Sequence, residues 1–68
     1  MISYERFWKT LKEKGFTQYR LINDYDISSS LMHRFKNNQH VSTQTLEILC
    51  GILECKIEDI IEYVPDKK

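Results

Sequence analysis

Several common features are scarce in this sequence, and each scarcity excludes something. One proline and two glycines in 68 residues is not the make-up of a disordered or low-complexity tail. No apolar run approaches the roughly 18 residues a membrane-spanning helix needs, and no basic-then-apolar leader opens the chain. The expectation is a soluble, cytoplasmic protein with no membrane partner. Cysteine is sparse too: Cys50 and Cys55 are too few for the disulfide framework of a small secreted domain, and among Ile and Leu they read as small core hydrophobes. His33, His40, Cys50 and Cys55 could supply four zinc ligands, but their order and spacing match none of the usual finger patterns, so no metal is expected. Repeats, linkers and strand-like alternation are also missing.

Net charge is absent as well. Ten Lys and Arg balance ten Asp and Glu, which taken alone argues mildly against a nucleic-acid partner. The distribution argues the other way. Residues 1–41 hold seven basic residues against four acidic ones, a surplus of +3, and residues 42–68 hold three against six, −3. A basic end and an acidic end are predicted.

What is present, 41% hydrophobic and 29% charged residues, describes one folded domain spanning residues 1–68. A domain this small buries only about 60% of the surface its unfolded chain exposes. It has little room for an enclosed pocket of about 300–1,000 Å³. No cofactor is expected, and function should lie on the outer surface.

The periodicity predicts an all-α fold of five short helices. Tyr4, Phe7, Trp8 and Leu11 form one apolar stripe at i, i+3, i+4 and i+7, ended by Gly15. Thr17 is placed to cap a second helix, about 17–25, that inserts Leu21 and Tyr25 into the core. Asp26 can take a left-handed turn. Ile27 follows as a buried elbow, and Ser28 caps a third helix, about 28–37. A helix, a tight turn and a second capped helix make a helix-turn-helix signature. Ser42 caps a fourth helix with Leu46, Leu49, Cys50 and Leu53 inward. Ile57, Ile60, Ile61 and Val64 predict a fifth, with Glu58 and Asp59 at its positive end and Pro65 stopping it.

The third helix carries the chemistry. Met32 and Phe35 share one direction and must face the core. The opposite face then holds Ser30, His33, Arg34 and Asn37, with Ser29 projecting from the first turn and Lys36 to one side. Every residue there can hydrogen-bond and none is acidic, whereas a solvated helix more often mixes Glu with Lys. Such a face suits the major groove of DNA: small serines allow close approach, Arg34 can clamp a guanine, and His33 can donate to a purine edge. Ser29, Ser30, His33 and Arg34 are the candidate base contacts. Gln18, Lys36, Asn37, Asn38 and His40 offer donors for phosphates, although His40 also reads as a solvated loop residue.

The segment "FTQYRLINDYDISSSLMHRFKNN", Phe16 to Asn38, resembles the helix-turn-helix of the Cro/CI (XRE) family of phage and bacterial repressors. The similarity extends through "VSTQTLEILCGILECKIEDIIEYV" and covers about Ser3 to Val64, most like the small single-domain members. It implies a compact five-helix lambda-repressor-like fold, Thr17-Gln18 at a DNA phosphate, base reading by Ser29, Ser30 and His33 with Arg34 adjacent, and Asn37 at a second phosphate. Two departures bear on the docking angle. Ile22 stands where the motif commonly has Ala, and Asp26 where it commonly has Gly.

The fourth helix has more apolar residues than one stripe needs. Ile48 points away from Leu46, Leu49 and Leu53, and Ile52 borders them, so Ile48 and Ile52, with Tyr63 and Val64, are candidate homodimer contacts. The resemblance implies dimers on half-sites about 34–36 Å apart. The resulting expectation is a nucleoid-associated transcriptional regulator, a repressor occluding its operator on double-stranded DNA. The alternative is a protein-interaction module, an antitoxin or adaptor whose partner docks on the acidic half: Glu54, Glu58, Asp59, Glu62 and Asp66. An enzyme is not expected: Ser28 to Ser30 with His33 lack a Gly-rich oxyanion turn and an orienting carboxylate.

Overall fold

The computed structural model describes residues 1–65, so Asp66 of the acidic half lies outside the described residues. Four α-helices, α1 (Glu5–Glu13), α2 (Gln18–Tyr25), α3 (Ser29–Lys36) and α4 (Thr43–Leu53), are framed by two short strands, β1 (Ile2–Ser3) and β2 (Glu62–Tyr63). The fold is mostly helical. The predicted stripe of α1 is present, with Phe7 and Leu11 buried, Trp8 half-buried and Tyr4 at the N-cap. Gly15, at φ +77°, takes the left-handed conformation that only glycine adopts without steric cost.

The caps lie where hydroxyl residues precede apolar periodicity. Thr17 Oγ1 accepts from Arg20 N–H at 3.1 Å, Ser28 Oγ from Leu31 N–H at 3.1 Å, and Ser42 Oγ from Thr45 N–H at 3.1 Å. Between α2 and α3, Asp26 sits at φ 57° and ψ 30°, its N–H bonded to Leu21 O. Ile27 N–H bonds the same carbonyl at 3.2 Å and its side chain is buried. The turn is thus fixed by backbone hydrogen bonds at one end and by an apolar plug at the other. Tyr25 departs from expectation: it is 39% exposed, its ring 5.8 Å from that of Phe16. Two turns of helix bury only Leu21 fully, and the last residue of α2 is left at the rim.

Phe7, Leu21, Phe35, Leu49, Leu53 and Ile60 make the fully buried centre. The Phe7 ring stacks on Phe35 at 4.5 Å, and Tyr4 meets Phe35 edge-on at 4.6 Å. These contacts seat the inner face of α3 on α1 and so fix which face of α3 is left outward.

The predicted fifth helix is not formed. Residues Ile57–Asp59 make a single 3₁₀ turn, and the chain then enters β2, which pairs antiparallel with β1 in the register Ile2–Tyr63 and Ser3–Glu62. The spacing of Ile57, Ile60 and Ile61 serves one turn followed by a strand as well as it serves a helix. Local chemistry and a distant partner decide between them. Glu58 and Asp59 do stand in the first turn, but of a 3₁₀ turn in place of a helix; the Asp59 carboxylate accepts from Lys56 N–H at 3.1 Å and closes that tight turn. Ile60 ends that turn in helical backbone; beyond it, β-branched Ile61 favours extended backbone, and Val64 N–H finds Met1 O at 2.8 Å. Ile60 is still fully buried.

The charge halves are not fully separate ends: two N-terminal basic residues lie against the C-terminal segment. Arg6 of α1 pairs with Glu62 at 3.2 Å and donates to Glu58 O at 3.1 Å, while Lys14 Nζ reaches Glu54 O at 3.4 Å. Because α1 packs beside the 3₁₀ turn, part of the N-terminal basic surplus lies against the acidic segment.

Candidate nucleic-acid interface

With Met32 and Phe35 buried, Ser29, Ser30, His33 and Arg34 are all exposed on α3. The helix contains no acidic residue, and His33, Arg34 and Lys36 occupy its last turn, where cations suit the negative end of the dipole. The Ser28 cap holds the first turn in helical form, which places Ser29 and Ser30 at the N-terminal end of the face.

Asn37, at the C-cap, is tied to His33: its Nδ2 donates to His33 O at 2.9 Å and lies 3.1 Å from His33 Nε2. In the tautomer protonated at Nδ1, Nε2 accepts from that amide and the imidazole is held in one orientation. Two residues assigned different partners on sequence grounds therefore form one unit. Among the described residues, the side-chain hydrogen bonds of Ser28 and His33 go to Leu31 and Asn37, respectively.

The loop after α3 is clamped to α1. Asn38 adopts φ 53°, and its Oδ1 accepts from Tyr4 N–H at 3.1 Å. The Tyr4 hydroxyl donates to Gln39 O at 2.7 Å, and Gln39 N–H bonds Arg34 O at 2.9 Å. The carbonyl oxygen of Asn38 thus has a structural task that its place in a polar loop did not reveal; the one clue was Asn itself, which tolerates left-handed backbone. Lys36 and His40 are exposed on either side of this clamp. At the start of α2, Thr17 spends its acceptor on the cap and Gln18 is half-buried.

The profile of the Cro/C1-type HTH DNA-binding domain matches residues 6–66. The chain belongs to that family. Among solved structures, the crystal structure of the transcriptional regulator VanUg superposes with a TM-score of 0.84, at 31% sequence identity, over 96% of this chain and 87% of the VanUg chain. Among curated proteins, none matches.

In this family member, two surface features were not anticipated from the sequence. An open groove of about 220 Å³ runs between α3 and α4, lined by Ser28, Ser30, Leu31, Arg34 and Thr45. Thr45, whose hydroxyl is 2.9 Å from that of Ser42, therefore borders the same space as Arg34. Ser42 marked a helix start in the sequence but could not show that this start lies beside α3. The second is Tyr19, 75% exposed on α2. Its neighbour Arg20 is engaged on its own surface, with its guanidinium 4.6 Å over the Phe16 ring and Nε 3.5 Å from Asp24. No three His, Cys, Asp or Glu side chains converge on a metal position among the described residues.

Ile48 is 49% exposed and Tyr63 68%, whereas Ile52 and Val64 are half-buried. Ile48 lies on α4 and Tyr63 on β2.

Proposed function

We propose that the protein is a sequence-specific transcriptional regulator, a repressor that blocks its promoter by occupying an operator with α3 in the major groove. The observation that carries this reading is the exposed, acid-free face of α3, held against α1 by Phe35 and capped at Ser28. Ser29, Ser30, His33 and Arg34 then meet base edges. Thr17, Gln18, Lys36, Asn37, Asn38 and His40 meet the backbone. Asn38 can do so through its amide nitrogen while its oxygen stays on Tyr4. Residues 1–68 act as one binding unit, and a homodimer places two such units on a two-fold operator.

The antitoxin or adaptor reading draws less support. Part of the acidic segment it needs is occupied within the molecule, since Glu62 pairs with Arg6.

Selection of bound duplexes from a random library near physiological salt tests the proposal, with a His33→Ala, Arg34→Ala double variant in parallel. A two-fold motif enriched by the wild type and relaxed in the variant is expected. Retention without enrichment, lost as salt rises, would reduce the activity to phosphate attraction and overturn operator reading.

A further inference from the structure

Gly51 lies in the interior of α4, two residues before its end, and is exposed. Nothing in the molecule asks for glycine there. Its φ is not positive, and a Cβ built on it meets no atom within 4 Å. Glycine inside a helix is disfavoured relative to alanine because it leaves the unfolded chain more freedom. The position therefore carries a penalty with no return inside the monomer.

The surroundings of Gly51 suggest where the return lies. Ile48, one turn earlier on the same outward face, is half in water, and Ile52 is half-buried beside it. Glu47 is four residues before Gly51, about 6 Å along a helix axis, and Lys56 is exposed five residues after it, just past the helix end. Neither makes an ion pair among the described residues. A charge of each sign thus flanks one apolar, glycine-centred patch at similar distances. A two-fold axis passing between Gly51 and Ile52 exchanges position 47 with position 56.

We infer that α4 pairs antiparallel with α4 of a second copy, the helices crossing at Gly51, with Glu47 of each protomer against Lys56 of the other. This rests on the homodimer reading above and assigns it a face and a register. The missing Cβ lets the two backbones approach toward the short end of the usual 8–10 Å spacing between helix axes. Ile48 loses its exposure under the partner helix. A partner of one charge sign would leave Glu47 or Lys56 opposed, whereas a second copy satisfies both.

Sedimentation equilibrium of the full chain up to submillimolar concentration, combined with thermal unfolding at dilution, tests the pairing. Gly51→Ala is expected to move the two readings in opposite directions, raising the thermal midpoint of the dilute protein by about 4–8 °C while weakening self-association by roughly tenfold or more. Glu47→Lys and Lys56→Glu each weaken the dimer, and combining them restores it to within about threefold of wild type. A dimer indifferent to these changes but lost in Tyr63→Ser would overturn the α4 pairing and leave the homodimer standing on the β2 side. A wild type that stays monomeric throughout the range would overturn both.

Discussion

Asn38 and Glu54 share nearly the same backbone, φ 53° and 52°, in a region that costs most non-glycine residues roughly 1–2 kcal/mol. Their side chains separate them. Asn38 gains the Tyr4 N–H bond, so Asn38→Ala is expected to destabilise by about 1–2 kcal/mol in urea unfolding. The Glu54 side chain makes no bond among the described residues, and Glu54→Gly should stabilise by about 1 kcal/mol. At the proposed DNA face, Arg34→Ala should remove roughly 1–3 kcal/mol of discrimination at one base pair, read by competition between duplexes, with the melting point unchanged because the side chain is exposed. Two other groups bear on alkaline stability. Burial, with Cys50 and Asp59 nearby, pushes the Cys55 thiol from its ordinary 9.0 up to about 11, and burial raises the Tyr4 hydroxyl above 10.0. A raised acid holds its proton more tightly when folded, so its contribution is complete below the unfolded value and fades as pH climbs through the folded one. Stability is therefore expected to be insensitive to these groups up to about pH 9 and to fall between 9 and 11. Cys55→Ala should make that fall shallower, as followed by circular dichroism across the range.

Among the elements, the capped helices were legible and the C-terminal segment was not. Thr17, Ser28 and Ser42 each precede a periodic apolar run, and one hydroxyl satisfying an orphan N–H needs no knowledge of the rest of the fold. Ser28→Ala should cost about 0.5–2 kcal/mol in unfolding free energy and should weaken DNA binding further than that loss explains, because the first turn of α3 carries Ser29 and Ser30. Protein held well below its melting point in a titration with the selected duplex separates the two effects. The segment after Lys56 is different in kind. Its apolar spacing fits a helix, but its strand exists only because residues 1–3, some sixty positions away, offer backbone partners. Periodicity over a short window cannot register a partner that remote.

For the whole molecule, zero net charge conceals an arrangement that bears on binding. Arg6 and Lys14 are engaged with the 54–62 segment, whereas Arg34 and Lys36 on α3 have no ion pair among the described residues. The dependence of affinity on salt should reflect that division. Lys36→Ala is expected to lower the slope of log K against log salt by about one, and Arg6→Ala to leave it unchanged while loosening the C-terminal segment. Titrations of the selected duplex at several salt concentrations read both slopes.

By itself the sequence determined the helical class, three of the caps, the left-handed turn at Asp26 and the inward faces of α1, α3 and α4, because each follows from bonds and packing within a few turns of chain. It also marked Ser29, Ser30, His33 and Arg34 as outward once Met32 and Phe35 were inward. Only the tertiary structure decided that residues 57–63 form a turn and a strand, that Asn38 braces the N-terminus of α1, that Thr45 borders the Arg34 groove, and that Arg6 of α1 pairs with Glu62. Most of these depend on pairs far apart along the chain. Local pattern states which groups need partners, and long-range packing supplies them.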